Sequence, residues 1–302
     1  MMRLASRLLT LVVFIAAASS FGQKQPDTRL RVASPDGQIV FILSDAPHTH
    51  AVEPASNDLR YSVDFHTKWL MDESVLGLKI AGQPPLGPGM KQIHVETHPH
   101  DEAHAAPLGK TKTARDRYNS ALVDLADDAG RKLTLEIRAY YEGVAFRYIL
   151  PNQPSLQNPQ IERELTQFVY NKNATVYPSI VNALPKAPAI QGQPRAVSNV
   201  SPQWLIGLPL NGEVLGVGWV SIAEAGVSGY PGIDLRKEGS ALGFYTQFAP
   251  RAPELSSVQT VLSPPEQTPF TGPWRVLIIA DNRSGVLASD LIARLGALAS
   301  QP

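Results

Sequence analysis

The sequence predicts an all-β fold, a large antiparallel β-sandwich carrying one C-terminal helix, and three observations point there. Leu133 to Pro151 alternates strictly: Leu133, Leu135, Ile137, Ala139 and Tyr141 share one face, Thr134, Glu136, Arg138 and Tyr140 the other, and Val144, Phe146, Tyr148 and Leu150 resume the apolar face after Glu142-Gly143. This is the pattern of a β-hairpin with one buried face. Short apolar runs elsewhere are punctuated by 26 prolines and 22 glycines, and helical periodicity is scarce. Cysteine is absent, so burial alone must hold the fold together.

Taken in order, the first element is not part of that fold. Arg3 and Arg7, the apolar stretch Leu8–Ala18 and the small residues Ser19–Gly22 read as a secretory signal peptide cleaved near Gly22-Gln23, too short to span a membrane. The expectation is therefore a secreted or periplasmic protein with residues 1–22 as signal and 23–302 as a single domain. Leu30–Val32 and Gln38–Leu43 form a hairpin around the turn sequence Ser34-Pro35-Asp36-Gly37. Leu59–Phe65 is a strand, Trp69–Asp72 a turn, and Leu76–Ile80 the returning strand. After a Pro/Gly loop at Gly82–Met90 comes a strand at Gln92–Glu96, then a polar surface loop at Thr97–Arg117. Tyr118–Leu125 feeds the central hairpin through Asp127-Asp128-Ala129-Gly130. Ile161–Tyr170 is one strand, Asn171–Gly207 a proline-rich irregular stretch of the kind that is functional when it occurs inside a domain. Leu208–Ala225, Leu242–Phe248, Val258–Leu262 and Trp274–Ile279 complete the sheets. Ser284 can cap a helix stacking Leu287, Leu291 and Leu295.

Charge narrows the partners. With 27 basic and 27 acidic residues the formal net charge is zero, which argues against nucleic acid or an anionic membrane held by bulk charge. A (β/α)8 barrel alone takes about 250 residues, so a large sandwich and a barrel cannot share this chain.

Three sets of residues could carry chemistry. His94, His98, His100, Asp101, Glu102 and His104 include metal-ligand types, but Pro99 interrupts them, and a solvated loop with no metal is the expectation. Glu224, followed by Tyr230-Pro231-Gly232 and Asp234, could hold sugar hydroxyls from a strand end, although no second acid is evident at the ~5–10 Å spacing that glycoside hydrolysis requires. Trp204, Trp219, Tyr230 and Trp274 could stack on sugar rings; Trp204, at the edge of the proline-rich stretch, is the best placed to be exposed. Arg138 and Arg147 lie on the polar face of the hairpin, either solvated or paired with carboxylates. The candidate carbohydrate-binding set is thus Glu224, Tyr230, Trp204 and Arg147, with no catalytic residue assigned. The sequons at Asn173, Asn199 and Asn282 read as chance matches.

Glu142-Gly143-Val144-Ala145-Phe146-Arg147-Tyr148 with Pro151 closely resembles the N-terminal domain of glycoside hydrolase family 97, secreted bacterial α-glucosidases and α-galactosidases. Ser34-Pro35-Asp36-Gly37, Tyr61-Ser62-Val63 with Ser74-Val75-Leu76-Gly77-Leu78, Ile222-Ala223-Glu224-Ala225 with Tyr230-Pro231-Gly232, and Pro273-Trp274-Arg275-Val276 agree in order and spacing. The resemblance implies a galactose-mutarotase-like super-sandwich whose catalytic carboxylates come from a following barrel. In calcium-dependent members the sandwich adds a glutamate ligand from the loop after a Tyr-Pro segment. Here that loop starts at Tyr177-Pro178-Ser179, no Asp or Glu occurs between Glu164 and Glu213, and Gln191 and Gln193 stand near Arg195. A site without carboxylates holds calcium poorly, so no cofactor is expected. The implied role is a non-catalytic domain that binds carbohydrate of the α-glucoside or α-galactoside type or docks on a separately encoded barrel. The rivals are a stand-alone mutarotase-like or glycosidase enzyme, for which all seven histidines lie on one side, between His48 and His104, and a fragment of a split α-glucosidase, since the chain ends near where the family passes into its barrel.

Overall fold

The computed structural model describes residues 29–45, 58–105, 113–181, 189–227, 229–237, 239, 241–249 and 266–299; the expected signal peptide and the Val258–Leu262 strand lie outside them. β1 (Leu30–Ala33) and β2 (Ile39–Ser44) pair around the anticipated turn. Its residues hold one another: Ser34 Oγ donates to Asp36 Oδ1 at 2.6 Å and accepts from the Ile39 N–H at 3.0 Å. β3 (Arg60–Phe65) and β4 (Lys68–Val75) form the next hairpin. The turn expected at Trp69–Asp72 is instead His66-Thr67, both left-handed at φ 48° and 63°, a conformation that non-glycine residue identity does not announce. β5 (Leu78–Ile80) is short. β6 (Lys91–Ala105) and β7 (Thr113–Ala126) replace the expected Thr97–Arg117 loop with a long two-stranded ribbon.

β8 (Lys132–Tyr140) and β9 (Gly143–Leu150) are the central hairpin, with Leu133, Leu135, Ile137, Ala139, Val144, Phe146, Tyr148 and Leu150 all in the core. Its turn lies one residue earlier than expected, at Tyr141-Glu142, and Gly143 already pairs with Tyr140. β10 (Ile161–Glu164) and β11 (Gln167–Tyr170) split what reads as one strand. The proline-rich stretch is more ordered than its composition suggests: β12 (Thr175–Ile180), β13 (Ile190–Gln191) and β14 (Arg195–Ala196) lie within it. Pro178 is accommodated where the β12 register slips between Tyr177 and Ser179, as a residue without an N–H requires. β15 (Ile206–Val214), β16 (Gly218–Ala225), β17 (Ile233–Lys237), β18 (Gly243–Phe248), β19 (Phe270–Thr271) and β20 (Trp274–Ala280) follow.

The pairings are all antiparallel and trace two layers. One runs β1-β2-β3-β4-β11-β18-β17. The other runs β12-β15-β16-β20-β9-β8-β7-β6. Among the described residues a single pair, Ile206↔Leu235, bridges them, and β5 and β10 form a separate ribbon. Between the layers Phe41 and Tyr61 stack at 5.1 Å, and Phe146 from the facing layer packs 5.7 and 5.1 Å from them. Offset and tilted contacts of this kind add to the burial of the rings themselves.

The C-terminal helix comes in two pieces, α1 (Arg283–Ala288) and α2 (Leu291–Ala299). Asn282, not Ser284, caps the first through Gly285 N–H at 3.0 Å. The extended Ser289 between the pieces breaks the expected leucine stripe. Leu291 and Leu295 bury fully with Val286 on the outer face of β16 and β20, while Leu287 turns to solvent. That outer face, with Ala223, Ala225, Trp274, Val276 and Ile278, is a second apolar cluster.

Gly143 serves the sheet rather than the turn. A Cβ there would stand 2.1 Å from the Leu277 carbonyl oxygen and 3.0 Å from the Ile278 Cα, on backbone at φ 156°. Gly143→Ala is expected to cost at least ~2 kcal/mol, at the upper end of what overpacking does, whereas Gly130→Ala, with open space around its Cβ and only its positive φ to strain it, is expected to cost less; urea denaturation of both variants measures the difference.

Candidate functional site

Alternation along β20 sends adjacent side chains to opposite faces, so Trp274 joins the outer cluster and Arg275 enters the space between the layers. Arg275 is 0% exposed. Its Nε and Nη2 donate to Glu164 Oε2 and Oε1 at 2.9 and 2.5 Å, and its Nη1 donates to Glu224 Oε2 at 2.8 Å. The fork on Glu164 is the bidentate geometry that a planar guanidinium favours. Glu164, at the end of β10, is held from behind: Thr246 Oγ1 donates to its carbonyl at 3.0 Å, and Thr166 Oγ1 lies 3.4 Å from its Oε2. Thr166 is 2.8 Å from Tyr148 Oη, which accepts the Gly77 N–H at 3.0 Å.

Glu224, near the end of β16, also accepts the Ile233 N–H, at 3.2 Å to Oε2. Gly232 makes that approach possible, because a Cβ there would lie 3.1 Å from Glu224 Oε1. Asp234 follows on β17 and is buried. Tyr230 packs at 5.4 Å on Phe248 and 5.5 Å on Phe270.

Burial dominates the titration of this cluster. Loss of hydration, then repulsion from Glu224, pushes the Asp234 carboxyl up to about 6. Burial raises Glu224 above the ordinary carboxylate range despite the attraction of Arg275. Burial and the nearby Glu164 charge raise the Tyr230 phenol, keeping it protonated. Burial works against the Arg275 charge, but Glu164 and then Glu224 more than offset it, so Arg275 stays a cation.

Glu164 is sealed on Arg275 with its side chain 2% exposed, and Glu224 is tied to Arg275 while 20% exposed. Asp234, the third acid of the group, is 8% exposed and is disfavoured as an anion by the charge on Glu224.

Of the four sequence candidates, Glu224 and Tyr230 belong here, Tyr230 sensing both Glu164 and Arg275. Trp204 lies elsewhere, half-buried against the main core with the Arg195 guanidinium 4.5 Å above its ring. Arg147 lies on the outer face, where it pairs with Glu136 at 2.7 Å and covers Trp274 at 4.3 Å; Arg138 shares Glu136 at 2.8 Å and approaches the same indole to 4.7 Å. Both hairpin arginines are thus partners of a carboxylate rather than solvated charges. Arg275 and Glu164 complete the cluster without having been singled out. The signal was a lone arginine inside Trp274-Arg275-Val276-Leu277-Ile278-Ile279, a cation that an otherwise apolar strand can bury only with an acid beside it. The Tyr177-Pro178-Ser179 segment, expected to open a calcium-site loop, is part of β12, and Gln191 lies exposed on β13.

The structure is thus an antiparallel β-sandwich with a buried Glu–Arg–Glu cluster between its layers. The family model described as Glycosyl-hydrolase 97 N-terminal matches residues 32–297, and the chain belongs to that family. A glycoside hydrolase family 97 enzyme from Pseudoalteromonas sp. strain K8, solved in complex with acarbose, superposes with a TM-score of 0.75 at 25% identity, covering 88% of this chain and 38% of that one. A variant of the same enzyme in complex with panose matches equally, at 25% identity, the same coverage and a TM-score of 0.75. A β-arabinopyranosidase shares the fold with a TM-score of 0.71 at 20% identity, over 83% of this chain and 40% of that one. The chain therefore spans about two fifths of the length of these solved relatives.

Two outcomes are expected of the cluster. Arg275→Met leaves Glu164 buried without a counter-charge and should lower stability by about 3–5 kcal/mol, while adding Glu164→Gln should recover part of that loss in a double-mutant cycle read by chemical denaturation. Because burial and Glu224 push the folded Asp234 carboxyl up to about 6, above the ~3.9 of an ordinary aspartate, the folded state holds a proton the unfolded chain has released between those pH values. Stability from this group is therefore present below about pH 4 and falls as pH rises through about 6, by on the order of 2 kcal/mol. Asp234→Asn should flatten that part of the pH–stability curve and raise stability at pH 7.

Proposed function

We propose that this protein is an exported, non-catalytic sandwich domain that works with a family 97 catalytic barrel supplied by a separate polypeptide, either docking on it or presenting carbohydrate of the α-glucoside or α-galactoside type. The observation that carries this reading is the occupation of its own acids: Glu164 and Glu224 both spend their oxygens on Arg275. Glycoside hydrolysis needs one carboxyl group to give a proton and a second to attack or activate water across one bond. Neither of these two can do so while paired. The family match supports the same reading, since it is to the N-terminal part of family 97 glycosyl hydrolases.

The alternative, a stand-alone mutarotase-like or glycosidase activity, is favoured by one feature: burial and the neighbouring Glu224 raise the Asp234 carboxyl to about 6, toward the range in which a carboxyl can exchange a proton near neutral pH, and carboxyls displaced in this way are common in acid–base sites.

Purified protein assayed on α-glucosides, α-galactosides and aldose mutarotation should give no turnover above buffer, and Glu224→Gln and Asp234→Asn should change nothing. Mixing it with a family 97 barrel produced without its own sandwich should give a complex on size exclusion, or a higher rate than the barrel alone, or retention on an α-glucan column. Turnover by the protein alone that Glu224→Gln or Asp234→Asn removes would establish the alternative.

A further inference from the structure

Trp69, 38% exposed and the most open of the four tryptophans, is not among the residues the sequence singles out. It lies on β4, at the end of the sandwich built by β1 to β4. Alternation along β2 and β3 sends Phe41, Leu43, Tyr61 and Val63 into the core and leaves Ile42, Ser44, Arg60 and Ser62 on the opposite, outer face. Ile42 stands opposite Ser62 across the ladder, and Ser44 opposite Arg60. With Trp69, Glu73 and Arg29 these four line a shallow depression open to solvent. Glu224 and Tyr230 lie elsewhere, in the cluster around Arg275.

We propose that this depression binds one face of a neutral hexopyranose ring, with Trp69 as the platform; the inference rests on the reading that the domain presents carbohydrate. An open indole offers a flat apolar surface, which matches the C–H side of a pyranose. The hydroxyls around that ring both donate and accept. Here the guanidinium groups of Arg29 and Arg60 donate, the Glu73 carboxylate accepts, and the Ser44 and Ser62 hydroxyls can do either. The depression is open rather than enclosed, unlike the pockets that bury most of a small ligand, so it suits the side of a sugar chain.

Local charge selects a neutral ligand. Arg60 Nη2 donates to Asp58 Oδ2 at 3.0 Å. Arg31, opposite Ile42 on β1, lies 3.5 Å from Asp64 Oδ2. Glu73 shares the depression with Arg29. Three arginines thus meet three acids, whereas a sulfated or uronic glycan calls for a surplus of cations. Long side chains already held by a partner also lose less freedom when a ligand arrives.

Affinity electrophoresis of the whole protein tests the assignment, in gels containing amylopectin, galactomannan or, as the acidic comparison, polygalacturonate. Retardation by at least one neutral polymer, and none by polygalacturonate, is expected. Trp69→Ala should weaken it about tenfold or more. Trp69→Phe should keep part of the affinity, and Glu73→Gln should lower it with the platform intact; these two guard against a folding defect in Trp69→Ala. Tyr141→Ala removes an exposed aromatic outside the depression and should leave retardation unchanged. Retardation that survives Trp69→Ala would overturn this site while upholding carbohydrate presentation. Stronger retardation by polygalacturonate would overturn the ligand class. No retardation by any polymer would overturn the site and the presenting role together, leaving docking on a barrel, which size exclusion reads independently.

Discussion

Everything in the interior is arranged around one charge that cannot leave. Arg275 sits between two apolar layers with no solvent contact, and a cation in that position is tolerable only when acids and donors close around it. Strands far apart in sequence supply them: Glu164 from β10, Glu224 from β16, and behind them Thr166, Thr246 and Tyr148. The pairing joins the β10 end to both β20 and β16, and so fixes how the two layers and the short ribbon sit together. Apolar packing alone would hold the layers but tolerate small sliding; a bidentate fork does not.

The same residues show where the interior carboxylates and the aromatic beside them are committed. Carboxylates that hold a structural arginine have their oxygens directed inward, and the aromatic that follows Glu224, Tyr230, is spent on packing against Phe248 and Phe270. Membership of the family 97 N-terminal group is thus compatible with a scaffold whose segments around Glu224 and Trp274-Arg275 are taken up by its own core.

What could be read beforehand was whatever local periodicity encodes. Alternation placed β2, β3, β8, β9, β18 and β20 within a residue or two, because each has one face in the core and the other outside it. It failed where backbone conformation is set by context, as with the left-handed His66-Thr67 turn, and where proline was taken as a terminator. Pro99 on the edge strand β6 and Pro178 at a register slip in β12 are both tolerated, since neither position needs a ladder N–H. The Glu164–Arg275 pair was hidden for a different reason: its partners are 111 positions apart, and no spacing rule links them. Arg147 and Trp204 were plausible sugar contacts as isolated residues, and only three dimensions show Glu136, Trp274 and Arg195 already occupying them.

β20 lies between β9 and β16 and is hydrogen-bonded to both. Until it is in place, two neighbouring strands offer bare edges and the guanidinium is missing from its acids, so the layers on either side of it cannot close: one strand completes both the backbone ladder and the charge balance of the interior in a single step.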